Sequence, residues 1–66
     1  MVVRINGVAR EVAEGIRLSE LLSTLDIQLA GIAVEVNREV VPKRLHTETI
    51  LNNGDKIEII RMVGGG

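Results

Sequence analysis

The stretch of this 66-residue sequence with the clearest chemical potential has almost no side chains. Met62-Val63 leads into Gly64-Gly65-Gly66, and the sequence closes on the carboxyl group of Gly66. Read as a true terminus, the three glycines form neither a helix cap nor a hairpin. They precede no helix, so they are not a phosphate-cradling loop. Each costs more backbone entropy to order than any other residue. The expectation is a thin, flexible strip, residues 64–66, reaching about 10 Å beyond Val63 at roughly 3.3–3.6 Å per residue. Such a strip suits a narrow channel in another protein, with Gly64 and Gly65 threading and Gly66 delivering its carboxylate. A frayed end is the plain alternative.

An α-carboxyl group with a pKa of about 3.3–3.7 is ionised at neutral pH and is a poor electrophile. To accept a nucleophile it must first be activated, most simply as an acyl-adenylate made from ATP. That step belongs to a partner enzyme that brings Mg²⁺ and donors around the phosphates.

Little else in the chain competes for a chemical role. There is no cysteine, so disulfides, thiolate metal sites and a side-chain thiol nucleophile are excluded, and the single histidine, His46, excludes a multi-histidine site. Ser19 and Ser23 have no histidine nearby in sequence, and no serine or lysine stands in a prosthetic-arm acceptor motif. The expectation is a carrier that binds no cofactor or metal itself, not an enzyme. Aromatic residues are absent and the net charge is -1, which leaves no stacking platform and no basic footprint for nucleic acid. No apolar run is long enough to span a bilayer, and no signal sequence opens the chain. A cytoplasmic protein, a monomer when free, is expected.

The elements that must position the tail follow from hydrophobic period. Met1 to Ile5 is β-branched and alternating, and Asn6-Gly7 is the strongest short hairpin signal. Val8 to Val12 reads as the returning strand, with Ile5 facing Val8. Arg10 falls on the inward face, which predicts that the pairing loosens before the strand ends. Leu18, Leu21, Leu22 and Leu25 then form one stripe of an amphipathic helix. Arg17 is a poor N-cap, and Ser19 could cap a later start.

Ile32 to Asn37 alternates again, Asn37-Arg38-Glu39 turns into Val40-Val41, and Pro42 closes that short strand. Lys43 to Thr49 reads as a helical turn and loop, with Lys43, Arg44 and His46 on a solvated surface. After the Asn52-Asn53-Gly54-Asp55 turn, Lys56 to Val63 is the last strand, with Ile57 and Ile59 inward. Ile60 and Met62 fall on the outer face, and with Val63 they are expected to form a partner-docking patch beside the tail. An edge covered by the chain's own loops is the competing explanation. The whole is expected to be an α+β domain over residues 1–63, a mixed sheet of four to five strands on one main helix.

Taken together these stretches resemble a known family. The Asn6-Gly7 hairpin, the Leu18-x-x-Leu21-Leu22 helix, Ala33-Val34-Glu35-Val36-Asn37, Val40-Val41-Pro42-Lys43-Arg44, Asn53-Gly54-Asp55-Lys56-Ile57-Glu58-Ile59 and the closing Val63-Gly64-Gly65-Gly66 are similar, in order, to the ThiS family, the bacterial sulfur carriers of thiamine biosynthesis. The resemblance implies a β-grasp, ubiquitin-like fold. It implies that a ThiF-type enzyme adenylates Gly66 and that a cysteine desulfurase supplies sulfur for a C-terminal thiocarboxylate. A ThiG-type thiazole synthase then takes that sulfur for the thiazole ring. Gly65 and Gly66 match the family's functional glycines, and Gly64 its more variable third. Three alternatives stay open: the small subunit of molybdopterin synthase, a ubiquitin-like protein modifier, and an interaction domain without tail chemistry.

Overall fold

The computed structural model describes residues 1–62. Val63, Gly64, Gly65 and Gly66, with the tail expectations attached to them, lie outside the described residues. Asn6 and Gly7 adopt φ values of +50° and +83°, the two left-handed residues of a type I′ turn. They join β1 (Val2–Ile5) to β2 (Val8–Glu11), with Ile5 opposite Val8 and Val2 opposite Glu11.

The pairing does not loosen at Arg10. That residue sits opposite Val3, and beyond it the Met1 and Val12 backbones still exchange hydrogen bonds of 2.9 and 2.8 Å. β2 is an edge strand exposed along its length, so Arg10 meets no core that would reject it.

The helix α1 (Leu18–Thr24) begins at Leu18, not at a later start capped by Ser19. Arg17 is the N-cap residue, and its backbone N–H donates to Glu20 Oε1 at 2.9 Å, half of a capping box. The Arg17 guanidinium also donates to Thr47 O at 3.0 Å, which ties the helix start to a distant loop. Leu18, Leu21 and Leu22 are buried, and Leu25 packs against the core from the helix end. Seven residues of helix hold only through this contact, since a lone helix so short is unstable in water.

β3 (Ile32–Val36) and β4 (Glu39–Val40) form a second hairpin, and a 3₁₀ turn (Lys43–Leu45) leads to β5 (Lys56–Arg61). The five strands lie in the order β2-β1-β5-β3-β4. β1 and β5 run parallel, and the other neighbours antiparallel. The helix covers one face of the sheet, and its leucines meet Val3, Val34, Leu51 and Ile57 in an entirely aliphatic core. This is the expected α+β architecture, five strands on one helix. β4 stops at Val40, although Val41 N still donates to Val34 O at 2.9 Å. β5 stops at Arg61, one residue before the described chain ends.

Candidate functional site

The tail leaves from β5, so the site begins with what holds β5. Its N-terminal half has β1 on one flank and β3 on the other. β1 ends at Ile5, however, and the backbone of Ile59 faces the flank where that strand has run out. The Asn6 side chain fills the gap: Ile59 N donates to Asn6 Oδ1 at 2.8 Å, and Asn6 Nδ2 donates to Ile59 O at 3.4 Å. One side-chain amide thus stands in for the next peptide of β1.

A second asparagine does similar work on the other flank. Lys56 N donates to Asn37 Oδ1 at 3.0 Å, Asn37 N donates to Lys56 O at 2.8 Å, and Asn37 Nδ2 donates to Asp55 Oδ1 at 3.0 Å. Both asparagines sit at left-handed turn positions, with φ of +50° and +51°. Turn chemistry makes each legible as a turn residue. Nothing in the spacing announces that the same side chains brace the central strand.

From this strand Ile60 and Met62 project to the face away from the helix, 43% and 58% exposed. Ile60 lies opposite Ala33, and Met62 N donates to Gly31 O at 2.8 Å. The competing explanation, an edge strand covered by loops, is not what is found, because β5 is central in the sheet. Ile60 and Met62 therefore stand together in the open at the base of the tail. Val63, the third residue of the expected patch, lies outside the described residues.

The expectation for Lys43 to Thr49 needs one correction. Lys43 and Arg44 are exposed, but His46 is buried, 5% exposed. Its ring Nε2 is 3.1 Å from Val41 O, its backbone carbonyl accepts from Ser19 N at 3.0 Å, and Nδ1 meets no partner among the described residues. Thr49 O also accepts from Leu18 N at 2.8 Å, and Thr49 Oγ1 donates to Leu45 O at 2.8 Å. The segment is folded down onto the helix start, which a local reading of charged residues does not reveal.

Among the described residues no three of His, Asp and Glu gather as a metal site. A hollow of about 550 Å³ lies at the start of β5, beside Val36, Val41, Leu45 and Asp55. The Asp55 carboxylate already accepts from Asn37 Nδ2 and from Asn52 N, so it serves the turn. No helix is long and apolar enough to cross a membrane among the described residues.

Comparison with known proteins gives this arrangement a family. The family model described as the ThiS family matches residues 3–66, nearly the whole chain. The sulfur carrier protein ThiS of Escherichia coli (strain K12) is 33% identical over 66 residues, which cover all of both chains. The crystal structure of thiamine biosynthesis protein ThiS from Geobacter metallireducens superposes with a TM-score of 0.88 at 35% identity, again over all of both chains. A thiazole synthase of Paramagnetospirillum magneticum contains a segment 39% identical over 62 residues, 94% of this chain but only 19% of that protein. With a matching fold, a matching length and a family match that runs through the last glycine, the chain belongs to the ThiS family, the sulfur carriers of thiamine biosynthesis.

Proposed function

We propose that the chain carries sulfur as a C-terminal thiocarboxylate on Gly66 and itself catalyses nothing. The single observation that supports this best is the match to the ThiS family through residue 66, which takes in all three glycines. The carboxylate oxygen of Gly66 attacks the α-phosphorus of ATP in a ThiF-type adenylating enzyme. Pyrophosphate leaves, and an acyl-adenylate forms. Mg²⁺ and the enzyme's donors stabilise the charge that develops on the phosphates. A desulfurase moves the sulfur of cysteine onto an enzyme thiol as a persulfide, with alanine left behind. The terminal persulfide sulfur adds to the acyl carbon and expels AMP, and a second thiol then cleaves the resulting acyl disulfide, itself ending in a disulfide. The product is a thiocarboxylate, whose sulfur a ThiG-type thiazole synthase accepts for the thiazole ring.

Several features of the chain support the individual roles. A run without Cβ atoms has the smallest cross-section a peptide offers, which favours Gly64 and Gly65 as the segment inside a channel. Ile60 and Met62, open beside the tail, favour a docking role next to the channel mouth, continued by Val63. The thiazole synthase with a similar segment within its own chain supports a synthase of that type as one partner. ATP and cysteine are both cytoplasmic reagents, and we place the carrier in the same compartment.

The test is the intact mass of the untagged protein isolated under mild conditions from its own host. A population heavier by the exchange of one oxygen for sulfur is expected, and it disappears when Gly66 is deleted. If only the unmodified mass appears, even after incubation with ATP, an adenylating enzyme and a sulfur source, the proposal fails.

A further inference from the structure

The chain holds two Asn-Gly pairs, Asn6-Gly7 and Asn53-Gly54. This dipeptide is chemically fragile, because a following residue without a Cβ leaves its backbone nitrogen unhindered for attack on the asparagine side chain. The fold treats the two pairs differently, and the difference lies in the peptide plane between their residues.

Asn53 and Gly54 are the central residues of a turn closed by Asp55 N, which donates to Asn52 O at 3.1 Å. Of the two only Gly54 has a positive φ, +87°, the mark of a type II turn with Asn53 ψ at about +120°. Gly54 N donates to Val2 O at 2.7 Å, and Asn53 Oδ1 accepts from Val2 N at 2.8 Å. The attacking nitrogen is therefore occupied. Turning its peptide plane over, to type I, breaks that bond and still leaves Asn53 ψ at about −30°.

The plane between Asn6 and Gly7 is unencumbered. Neither Asn6 O nor Gly7 N–H has a hydrogen-bond partner among the described residues. Rotation of this one plane converts the type I′ turn to type II′, and both types join paired strands of a hairpin. Asn6 ψ then moves from about +30° to about −120°, which swings Gly7 N to the side of the Cα–C bond that carries Cβ. Glycine takes up its new φ freely, so the strain falls on Asn6 alone. Ile59 N, 2.8 Å from Asn6 Oδ1, draws electrons from Cγ and is aimed at the oxygen where charge gathers during attack. The departing nitrogen, Nδ2, is held only by the long 3.4 Å bond to Ile59 O. Asn37 also opens a left-handed turn, but the residue after it, Arg38, carries a side chain, and Asn37 Nδ2 donates to Asp55 Oδ1 at 3.0 Å.

We propose that Asn6 is a site of spontaneous deamidation, reached by the type I′ to type II′ flip within the folded hairpin. Gly7 N gives its proton to solvent base and bonds to Asn6 Cγ. The Cγ–Nδ2 bond breaks, and Nδ2 takes up a proton and leaves as ammonia, so a five-membered succinimide remains. Water then opens either carbonyl of the ring, giving aspartate or isoaspartate at position 6. The aspartyl chain keeps an acceptor for Ile59 N. The isoaspartyl chain routes its backbone through Cβ and Cγ, which lengthens the two-residue turn by one carbon and withdraws the brace from β5. This chemistry needs no partner and stands whether or not the chain carries sulfur.

The experiment incubates the full-length chain in mildly alkaline buffer well below its melting temperature, and in parallel in urea that unfolds it. Peptide mapping by mass spectrometry follows the exchange of NH₂ for OH at each asparagine, and an isoaspartyl methyltransferase labels the isoaspartyl fraction. In the folded chain Asn6 is expected to react about fivefold or more faster than Asn53, the factor contributed by one hydrogen bond on the attacking nitrogen. Asn37 is expected to be slower than Asn6 as well. In urea the two Asn-Gly pairs converge on similar rates. Equal rates at Asn6 and Asn53 in the folded chain, or Asn53 ahead, or no reaction at Asn6 overturns the proposal. A preference for Asn6 that persists in urea also overturns it, since its cause would then be the neighbouring sequence and not the turn.

Discussion

The side chain of Asn6 offers the sharpest test of how β5 is braced. Its amide makes both hydrogen bonds to Ile59 on a flank where β1 has already ended. In Asn6→Gly the backbone keeps its left-handed turn without steric strain, since glycine accepts positive φ freely, so the amide is the only group lost and glycine's extra ordering entropy adds to the cost. The 2.8 Å bond to Ile59 N is well formed, whereas the 3.4 Å bond to Ile59 O is long. Counting one good bond at about 0.5–1.5 kcal/mol net, and little for the second, the loss is about 1 kcal/mol. Water reaches this exposed position, which keeps the cost well below that of a buried orphan N–H. For a domain of this size about 1 kcal/mol lowers the melting temperature by roughly 4–8 °C. Urea unfolding measures the global term, and amide hydrogen exchange the local one. Ile59 N–H should lose protection more than Ile57 or Ile60, since the Asn6 side chain bonds only Ile59 and the Asn6 N–H bond to Ile57 O is kept in the glycine variant. Asn6→Asp, which also supports this turn type and keeps the acceptor, should lose less. If Asn6→Gly leaves both stability and Ile59 exchange unchanged, the amide is ornamental and the bracing argument is wrong.

Other expectations are simpler to state. Arg38 sits at φ +72°, where a side chain is strained, so Arg38→Gly should stabilise the fold by about 1 kcal/mol, read as a higher urea midpoint. Leu21 is fully buried, and Leu21→Ala should cost about 3 kcal/mol, enough to leave much of so small a domain unfolded by circular dichroism. His46→Ala removes a buried ring and its contact to Val41 O, a loss of about 2 kcal/mol by urea unfolding, although a surface histidine would cost nothing. Gly65→Ala or Gly66→Val should leave the melting temperature unaltered and abolish ATP-dependent pyrophosphate release with the adenylating enzyme. A lower melting temperature with activation intact would contradict the proposed role of the tail.

Much of this architecture is written in local pattern. Asn6-Gly7 dictates a type I′ hairpin, the leucine spacing dictates the helix stripe, and the alternation from Lys56 onward places Ile60 and Met62 outward, as found. What escapes the sequence is everything set by partners distant along the chain. Arg10 looks misplaced until β2 proves to be an exposed edge. Arg17 looks like a failed cap until Thr47 O receives its guanidinium. His46 looks solvated until its carbonyl is found on Ser19 N. For Gly64, Gly65 and Gly66, which lie outside the described residues, the residue types alone carry the expectation.

The central place of β5 has a consequence for how the protein is made. β5 follows every other element in the sequence, yet it separates β1 from β3 and pairs with both. Until it emerges, β1 and β3 each lack the neighbour that covers one of their edges, and such edges invite association with other chains. The joining contacts span some of the longest separations in the molecule, Val2 to Asn53 and Asn6 to Ile59 among them. Non-local closure of this kind is slow compared with forming a hairpin or a helix. A ribosome that stalls before Lys56 therefore releases a product that cannot assemble its sheet. The strand that completes the sheet is thus the last of the described elements to be synthesised.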